Sequence, residues 1–493
     1  MAKIFEGISD QKTPPTYKFF SRGKWRDSTS GKTTDIISPV DGCVLGRLQV
    51  VTKQEADQAI EGARQGQKEW EKFPVDKRVK ILHLAADWIR EQEHYLSTLL
   101  VKEVGKPTSS AKSEVLRTAD MIDLFAQEAR TIRGETLESD LFPGFEKGQE
   151  AIVDRVALGV ILAIAPFNYP LNLSASKIAP ALVTGNACVF KPPTYGGISA
   201  LHLVRIFEKA GVPGGVLSAV TGGGVEIGDY LATHPHINMI TFTGSSKVGK
   251  AIAKQAGMIP LLFECGGNNP ALVLEDANLE TAALDIIKGS FSFSGQRCTA
   301  IKYVLAANEV MDQLIPKLKK FLKKEVKMGD PRDPKTKKAG PLITLDAAMK
   351  VENRIIKAKV WGAKILTGGK RKDNYVEPTI LDYVKPREEI VRVETFGPIL
   401  SLIRVKNSSE AIEIINSSDY GLQACIFTQD EGTGIVLAKK IEVGTVQINY
   451  SPQRGPDHFP FLGVKGSGVG VQGIGYTLEA MTRPKSVVLN KPE

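Results

Sequence analysis

Short, wholly apolar runs alternate with amphipathic stretches through the middle of the chain. VALGVILAIAP (156–166), ACVFKPP (187–193), VLSAVTG (216–222), INMITFTGS (237–245) and PLLFECGG (260–267) are apolar at consecutive positions. That is the pattern of strands covered on both faces. Between them SASKIAPALVTGN, SALHLVRIFEKAG, EIGDYLATHP and SKVGKAIAKQAG read as helices. Strand and helix in alternation predict a parallel sheet sandwiched by helices, with residues 156–267 as its core. The N-terminal third reads as helical: Ile81, Leu84, Ala85, Trp88 and Ile89 recur at helical spacing as an inward face, and GKP at 105–107 stops one helix before a second that contains Arg117. A second alternating series runs from about 280 to 450, with turns at GDPRDP and GPLI and a boundary near Gly266 and Gly267. After a helix-like GYTLEAM, RPKSVVLN reads as an orphan edge strand that needs a partner. We assign it to subunit association.

A chain of 493 residues is too long for one core, so two large domains and a small appendage are expected. The segments are 1–135 with 156–265 for the cofactor domain, 266–450 for a catalytic domain, and 136–155 with 475–493 for oligomerisation. No run approaches the length of a spanning helix and the N-terminus lacks a secretory pattern, so no membrane partner is expected and the cytoplasm is the default compartment. Five cysteines without a close pair fit neither a disulfide framework nor a metal site, and no metal is expected. The net charge of +9 comes from Lys and Arg interspersed with acids, which gives no support to nucleic acid and suits an anionic cofactor or substrate equally well.

Cys298 lies in SFSGQRCTA, a polar loop unlike the apolar surroundings of Cys188 and Cys425. A nucleophilic thiol needs access and help in ionising; a half-buried inert cysteine is the alternative. Glu264 ends an apolar strand before two glycines, where open α/β sheets hold ligands and where a carboxylate serves as a general base, a surface carboxylate or a helix cap. Asn168, at the turn after a strand, suits either an oxyanion donor or turn geometry. The Gly244–Gly249 segment GSSKVG opens a helix whose free amides can meet a pyrophosphate, without the G-x-G-x-x-G spacing. Lys191, in FKPPT, reaches ribose hydroxyls or a 2′-phosphate, or is simply solvated.

In this order PFNYP, FKPPT, FTGSSKVG, ECGG, GQRC, ETFGP and PF-x-G-x-K-x-SG resemble the aldehyde dehydrogenase superfamily over nearly the whole chain. The resemblance implies that fold: a Rossmann-like cofactor domain, a second α/β catalytic domain and a small β extension that builds a homotetramer from dimers. It implies Cys298 as nucleophile, Glu264 as base that activates water, and Asn168 with the Cys298 N–H as oxyanion donors. It places Pro166, Phe167, Lys191, Thr194, Gly224, Gly244, Ser245, Val248, Glu394 and Phe396 at the cofactor. NAD-preferring relatives often carry Glu where Thr194 stands, and without that carboxylate beside Lys191 the expected cofactor is NADP, with NAD second.

GQRCTAIK and the stretch from QRGPDHFPF to MTRPK are similar to the non-phosphorylating glyceraldehyde-3-phosphate dehydrogenases. In that branch Arg117, Arg297 and Arg454 match positions that meet a substrate phosphate, and the substrate contacts implied are these with Asn168, Tyr169 and Thr299. The expected reaction is oxidation of D-glyceraldehyde 3-phosphate to 3-phosphoglycerate. ECGGNN departs from the more usual ELGG followed by Lys. A dehydrogenase for lactaldehyde, glyceraldehyde or succinate semialdehyde keeps every catalytic residue and is the alternative. Glu264 argues against an acylating enzyme that has no need of a hydrolytic base, and intact Cys298, Glu264 and Asn168 argue against an idle scaffold.

Overall fold

The computed structural model describes residues 3–144 and 148–490; residues 1–2, 145–147 and 491–493, parts of the 1–135, 136–155 and 475–493 segments, lie outside the described residues. Three sheets organise the chain. In the first, eight strands run in the order Gly468–Val469, Leu261–Glu264, Met239–Thr243, Val160–Ile164, Ala187–Lys191, Leu217–Ala219, Phe19–Ser21, Lys24–Arg26. The five central strands are parallel. Their side chains alternate between two buried clusters: Ile161 and Ala163 face one, Val160, Leu162 and Ile164 the other. Burial on both faces is why these runs read as continuously apolar.

From Val160–Ile164 the chain builds outward through Ala187–Lys191 and Leu217–Ala219, then returns to the other side as Met239–Thr243 and Leu261–Glu264. The sheet therefore reverses direction beside Val160–Ile164, and open α/β sheets bind ligands outside the carboxyl ends of strands at such a switch point.

The second sheet orders Lys364–Thr367, Thr379–Asp382, Ile399–Arg404, Ile301–Ala306, Asn269–Val273, Gln423–Phe427 and Thr445–Ile448, parallel except for the first. It too is buried on both faces. The third sheet joins Thr482–Asn490, Gln149–Ala157 and Glu135–Glu138. The C-terminal strand expected to be an orphan thus pairs within its own chain, antiparallel from Thr482 opposite Ala157 to Asn490 opposite Gln149.

Three expectations are corrected. The described residues before the first α-helix, which begins at Lys53, hold a 3-10 turn at Lys3–Phe5 and then short strands; pieces of two to six residues, some turned by Arg22 and Gly23 at positive φ, are too short to show a period. In the Val75–Glu91 helix the inward face is Val79, Leu82, Ala85, Ala86 and Ile89, while Leu84 is 40% exposed. EIGDYLATHP holds only a wide turn over Gly224–Gly228 and the single turn Asp229–Ala232.

Candidate active site

Three neighbouring strands of the first sheet end on the site. Val160–Ile164 runs into Asn168, which is 4% exposed; its Nδ2 donates to the Gln296 carbonyl at 3.1 Å and its Oδ1 is buried without a partner. Met239–Thr243 ends on Thr243, whose hydroxyl accepts from the buried Lys177 ammonium at 2.7 Å and donates to Glu264 Oε2 at 3.0 Å. Leu261–Glu264 ends on Glu264, 2% exposed. Its Oε2 also accepts from Arg454 Nη1 at 2.7 Å, while Oε1 is buried with no partner. Burial pulls the Lys177 ammonium down to about 8, with Glu264 opposing.

Cys298 comes from the second sheet's side. After the Leu279–Phe291 helix, Phe293, Ser294 and Gly295 follow with φ of 51°, 54° and 67°. Two non-glycine residues in the left-handed region cost energy and persist only where surroundings hold them. Here the Ser294 hydroxyl donates to the Gly340 carbonyl at 2.7 Å, Gln296 bridges Pro341 and Ile343, and the Lys302 ammonium donates to the Gly295 and Gly397 carbonyls at 2.7 and 3.1 Å. Asn269 Nδ2 donates to the Cys298 and Ala300 carbonyls, each at 2.8 Å. Burial, then Glu264 and Glu394, push the half-buried Cys298 thiol up to about 12, against Arg454 and Arg297. Arg454 and Arg297 favour the thiolate, and burial outweighs them in this arrangement.

Thr243 and Cys265 join Pro166, Phe167, Asn168, Gly244, Ser245, Gly266, Cys298, Glu394 and Phe396 around one cavity of about 240 Å³. The Phe167 and Phe396 rings meet edge to face across it at 5.8 Å. Glu394 Oε1 accepts from the Gly267 amide at 3.1 Å. Burial raises the Glu394 carboxyl and lowers the Lys302 ammonium, each charge partly supporting the other. The two glycines after Glu264 serve close approach: a Cβ on Gly266 would strike the Glu394 carboxylate, and one on Gly267 the Cys298 carbonyl.

The sequence profile of the aldehyde dehydrogenase family matches residues 25–487. The chain belongs to the aldehyde dehydrogenase family. It is 45% identical, over 97% of its length and 96% of the relative's, to the NADP-dependent glyceraldehyde-3-phosphate dehydrogenase of Triticum aestivum. It is 36% identical, over 96% and 99%, to the lactaldehyde dehydrogenase of Methanococcus maripaludis. The crystal structure of the NADP-dependent glyceraldehyde-3-phosphate dehydrogenase of Bacillus halodurans complexed with NADP superposes with a TM-score of 0.94 at 46% identity, over 96% of this chain and 99% of that one.

Other expected residues of this aldehyde dehydrogenase lie outside the central cavity. Lys191 is buried, and that burial pulls its ammonium down to about 8 against the pull of Glu226; Thr194 is half-buried nearby in sequence. Gly224 and Val248 are exposed, and Thr299 is buried beside Cys298. Tyr169 packs edge to face on Phe293 at 6.4 Å.

The three arginines are not free guanidinium groups awaiting a phosphate. Arg117 grips Asp457 with two bonds, Nε to Oδ2 at 3.1 Å and Nη2 to Oδ1 at 2.8 Å, and also donates to the Arg454 carbonyl. Arg454 holds Glu264 and, through Nη2, Gln472 Oε1 at 2.7 Å. Arg297 donates to the Ser292 hydroxyl at 2.6 Å and, at greater length, to the Gly289 and Pro452 carbonyls, leaving Nε buried and unpartnered. Asp457 and Glu264 thus already pair two of the three guanidinium charges, Arg117 and Arg454.

Lys177, Thr243, Asp457 and Gln472 were not foreseen. Lys177 carried a signal, being the one charged residue in the Asn172–Val183 helix. Asp457 carried another, as an acid three residues from Arg454 in a segment already singled out.

Proposed function

We propose that this aldehyde dehydrogenase oxidises D-glyceraldehyde 3-phosphate to 3-phosphoglycerate with NADP and water, through a thiohemiacetal and a thioester on Cys298. Identity of 44–45% over 97–100% of the chain with relatives of that name carries the reading. The residues present suit NADP. Ser246 Oγ is buried without a partner at the start of the Ser246–Gln255 helix, where free amides favour a phosphate, and Lys191 stands beside Thr194 with no carboxylate at that position. Pro166, Phe167, Gly244, Ser245, Val248 and Gly224 would hold the rest of the dinucleotide, with Glu394 and Phe396 at its nicotinamide end. A dinucleotide held there would supply the hydride acceptor for the oxidation.

The chain's own groups do the remaining work. Cys298 Sγ, once deprotonated, forms the bond to the aldehyde carbon. The resulting oxyanion takes the Asn168 amide, which leaves the Gln296 carbonyl, and the Cys298 N–H; each such donor contributes about 3 to 4 kcal/mol. Glu264 takes a proton from the water that attacks the thioester carbon, and the C–S bond breaks to release the acid and return the Cys298 sulfur as thiolate. Its Oε2 is committed to Arg454 and Thr243, so Oε1 receives that proton. Arg454, Arg117 and Arg297, with Tyr169 and Thr299, form the substrate end, where guanidinium forks match phosphate oxygens.

A second reading, a lactaldehyde-type enzyme, is favoured by the 36% identity to that relative and by arginines already satisfied within the chain. Residues 1–135 with 156–265 form the cofactor unit in our reading, 266–450 the catalytic unit, and 136–155 with 475–493 the subunit contact of a cytoplasmic homotetramer. Exposed Leu137, Leu141, Val487, Val488 and Leu489 support the last, and five free cysteines suit a reducing compartment. Phosphorus NMR of the product, formed without inorganic phosphate or coenzyme A, tests the reaction. The free 3-phosphoglycerate is expected, and a requirement for either acceptor would refute a hydrolytic enzyme.

A further inference from the structure

The turn Gly105–Lys106–Pro107 plays no part in the reaction above, yet it inserts a charge behind it. Lys106 is fully buried, and its ammonium is paired with Glu114, also fully buried. It lies 3.6 Å from the centre of the Tyr169 ring and 4.8 Å from that of Phe293. Those rings belong to the two segments that carry Asn168 and Cys298. Tyr169 follows Asn168, and Phe293 stands in the left-handed turn that leads to Cys298. The other oxygen of Glu114 accepts from the Leu171 and Asn172 amides at 3.0 and 3.3 Å, fixing the first turn after Asn168. A buried ion pair is costly unless its geometry and extra hydrogen bonds are good, and this one ties Lys106 to the turn after Asn168.

The same turn touches the other domain's support for Cys298. Gly105, at φ 68°, packs so closely on Pro341 and Gly340 that an added side chain would collide with Pro341. Gly340 and Pro341 are the carbonyls that receive Ser294 and Gln296.

We infer that Lys106 is a positioning residue for thiol attack: held by Glu114 and enclosed by the rings of Tyr169 and Phe293, its ammonium sets the Asn168 turn against the Cys298 loop so that both oxyanion donors aim at one point. The inference rests on the roles proposed above for Asn168 and Cys298. Cation–ring attraction is strongest away from water, and a loss of alignment remote from the reacting atoms is enough to slow a reaction greatly.

The test is a double-mutant cycle on the full enzyme. Lys106→Met with Glu114→Gln removes the charge pair together, and the amide oxygen of glutamine still accepts from Leu171 and Asn172. Single-turnover NADPH formation is measured in this variant, in Asn168→Ala, and in their combination, with NADP affinity and Tm alongside. In an otherwise unchanged enzyme the rate is expected to fall about tenfold or more with NADP affinity preserved, and in the Asn168→Ala background by less than about twofold. Tm should fall equally in both backgrounds. An equal loss of rate in both, or no loss, overturns the inference while leaving the reaction intact. An unaltered rate in Asn168→Ala alone removes the oxyanion role on which it rests. Should the charge-pair variant fail to fold, Phe293→Leu removes one enclosing ring with the ion pair whole, and the same dependence on Asn168 is expected.

Discussion

Arg454 Nη1 lies 2.7 Å from Glu264 Oε2, so the arginine proposed to meet the substrate phosphate is bonded to the carboxylate proposed to activate water. One side chain thereby links the two ends of the reaction. Arg454→Gln should raise KM for D-glyceraldehyde 3-phosphate about ten- to a hundredfold, the loss of one charge-assisted contact. KM for unphosphorylated glyceraldehyde should change little. Steady-state kinetics on both aldehydes check this, and an equal rise for both would separate Arg454 from phosphate recognition.

The position of Cys298 sets a pH dependence. Its thiol is pushed up to about 12, chiefly by burial. A raised thiol pKa means less thiolate at every lower pH, and only the thiolate reacts. Alkylation of Cys298 by iodoacetamide in cofactor-free enzyme should climb about tenfold per pH unit from neutrality toward 10 with no plateau. A plateau near pH 7 would show a thiolate stabilised by the protein alone.

Burial of Lys191 next to the half-buried Thr194 suits a 2′-phosphate. Thr194→Glu should weaken NADP binding about tenfold or more through a new like charge, with a smaller effect on NAD. Fluorescence titration with both dinucleotides reads the difference, and equal losses would show that the side chain lies elsewhere.

The two carbon-centred steps separate by mutation. Cys298→Ser should abolish oxidation while NADP binding persists. Glu264→Ala should give one NADPH equivalent per site and then stall at the thioester, seen by stopped flow and by mass spectrometry of the acylated protein. Continued turnover without a burst would assign water activation to another group.

Much of this arrangement was legible before the structure. Val160–Ile164, Ala187–Lys191, Met239–Thr243 and Leu261–Glu264 were readable because strands buried on both faces leave unbroken apolar runs. The strand ends drew attention to Asn168 and Glu264, but only the family resemblance chose between a catalytic role and turn geometry, a surface carboxylate or a helix cap. The hairpin of Phe19–Ser21 and Lys24–Arg26 was not readable, since three-residue strands carry no period. Nor was the return of Gly468–Val469 to the edge of the first sheet, or its consequence that Ser467 reaches the Gly266 carbonyl. Charge pairing was the larger omission. Arg117 and Asp457 stand 340 residues apart, Arg454 and Glu264 190, and each pair meets only through topology. A sequence offers three arginines for a phosphate and cannot show that acids already hold two of them, Arg117 and Arg454.

The central claim is a hydrolytic dehydrogenase for a phosphorylated aldehyde. It is tested most directly by kcat/KM for D-glyceraldehyde 3-phosphate against unphosphorylated glyceraldehyde and lactaldehyde, with NADP and with NAD, and without inorganic phosphate. The account predicts a strong preference for the phosphorylated aldehyde and for NADP. Equal or greater efficiency with lactaldehyde would contradict the substrate, and Arg117 and Arg454 would then serve to hold Asp457 and Glu264.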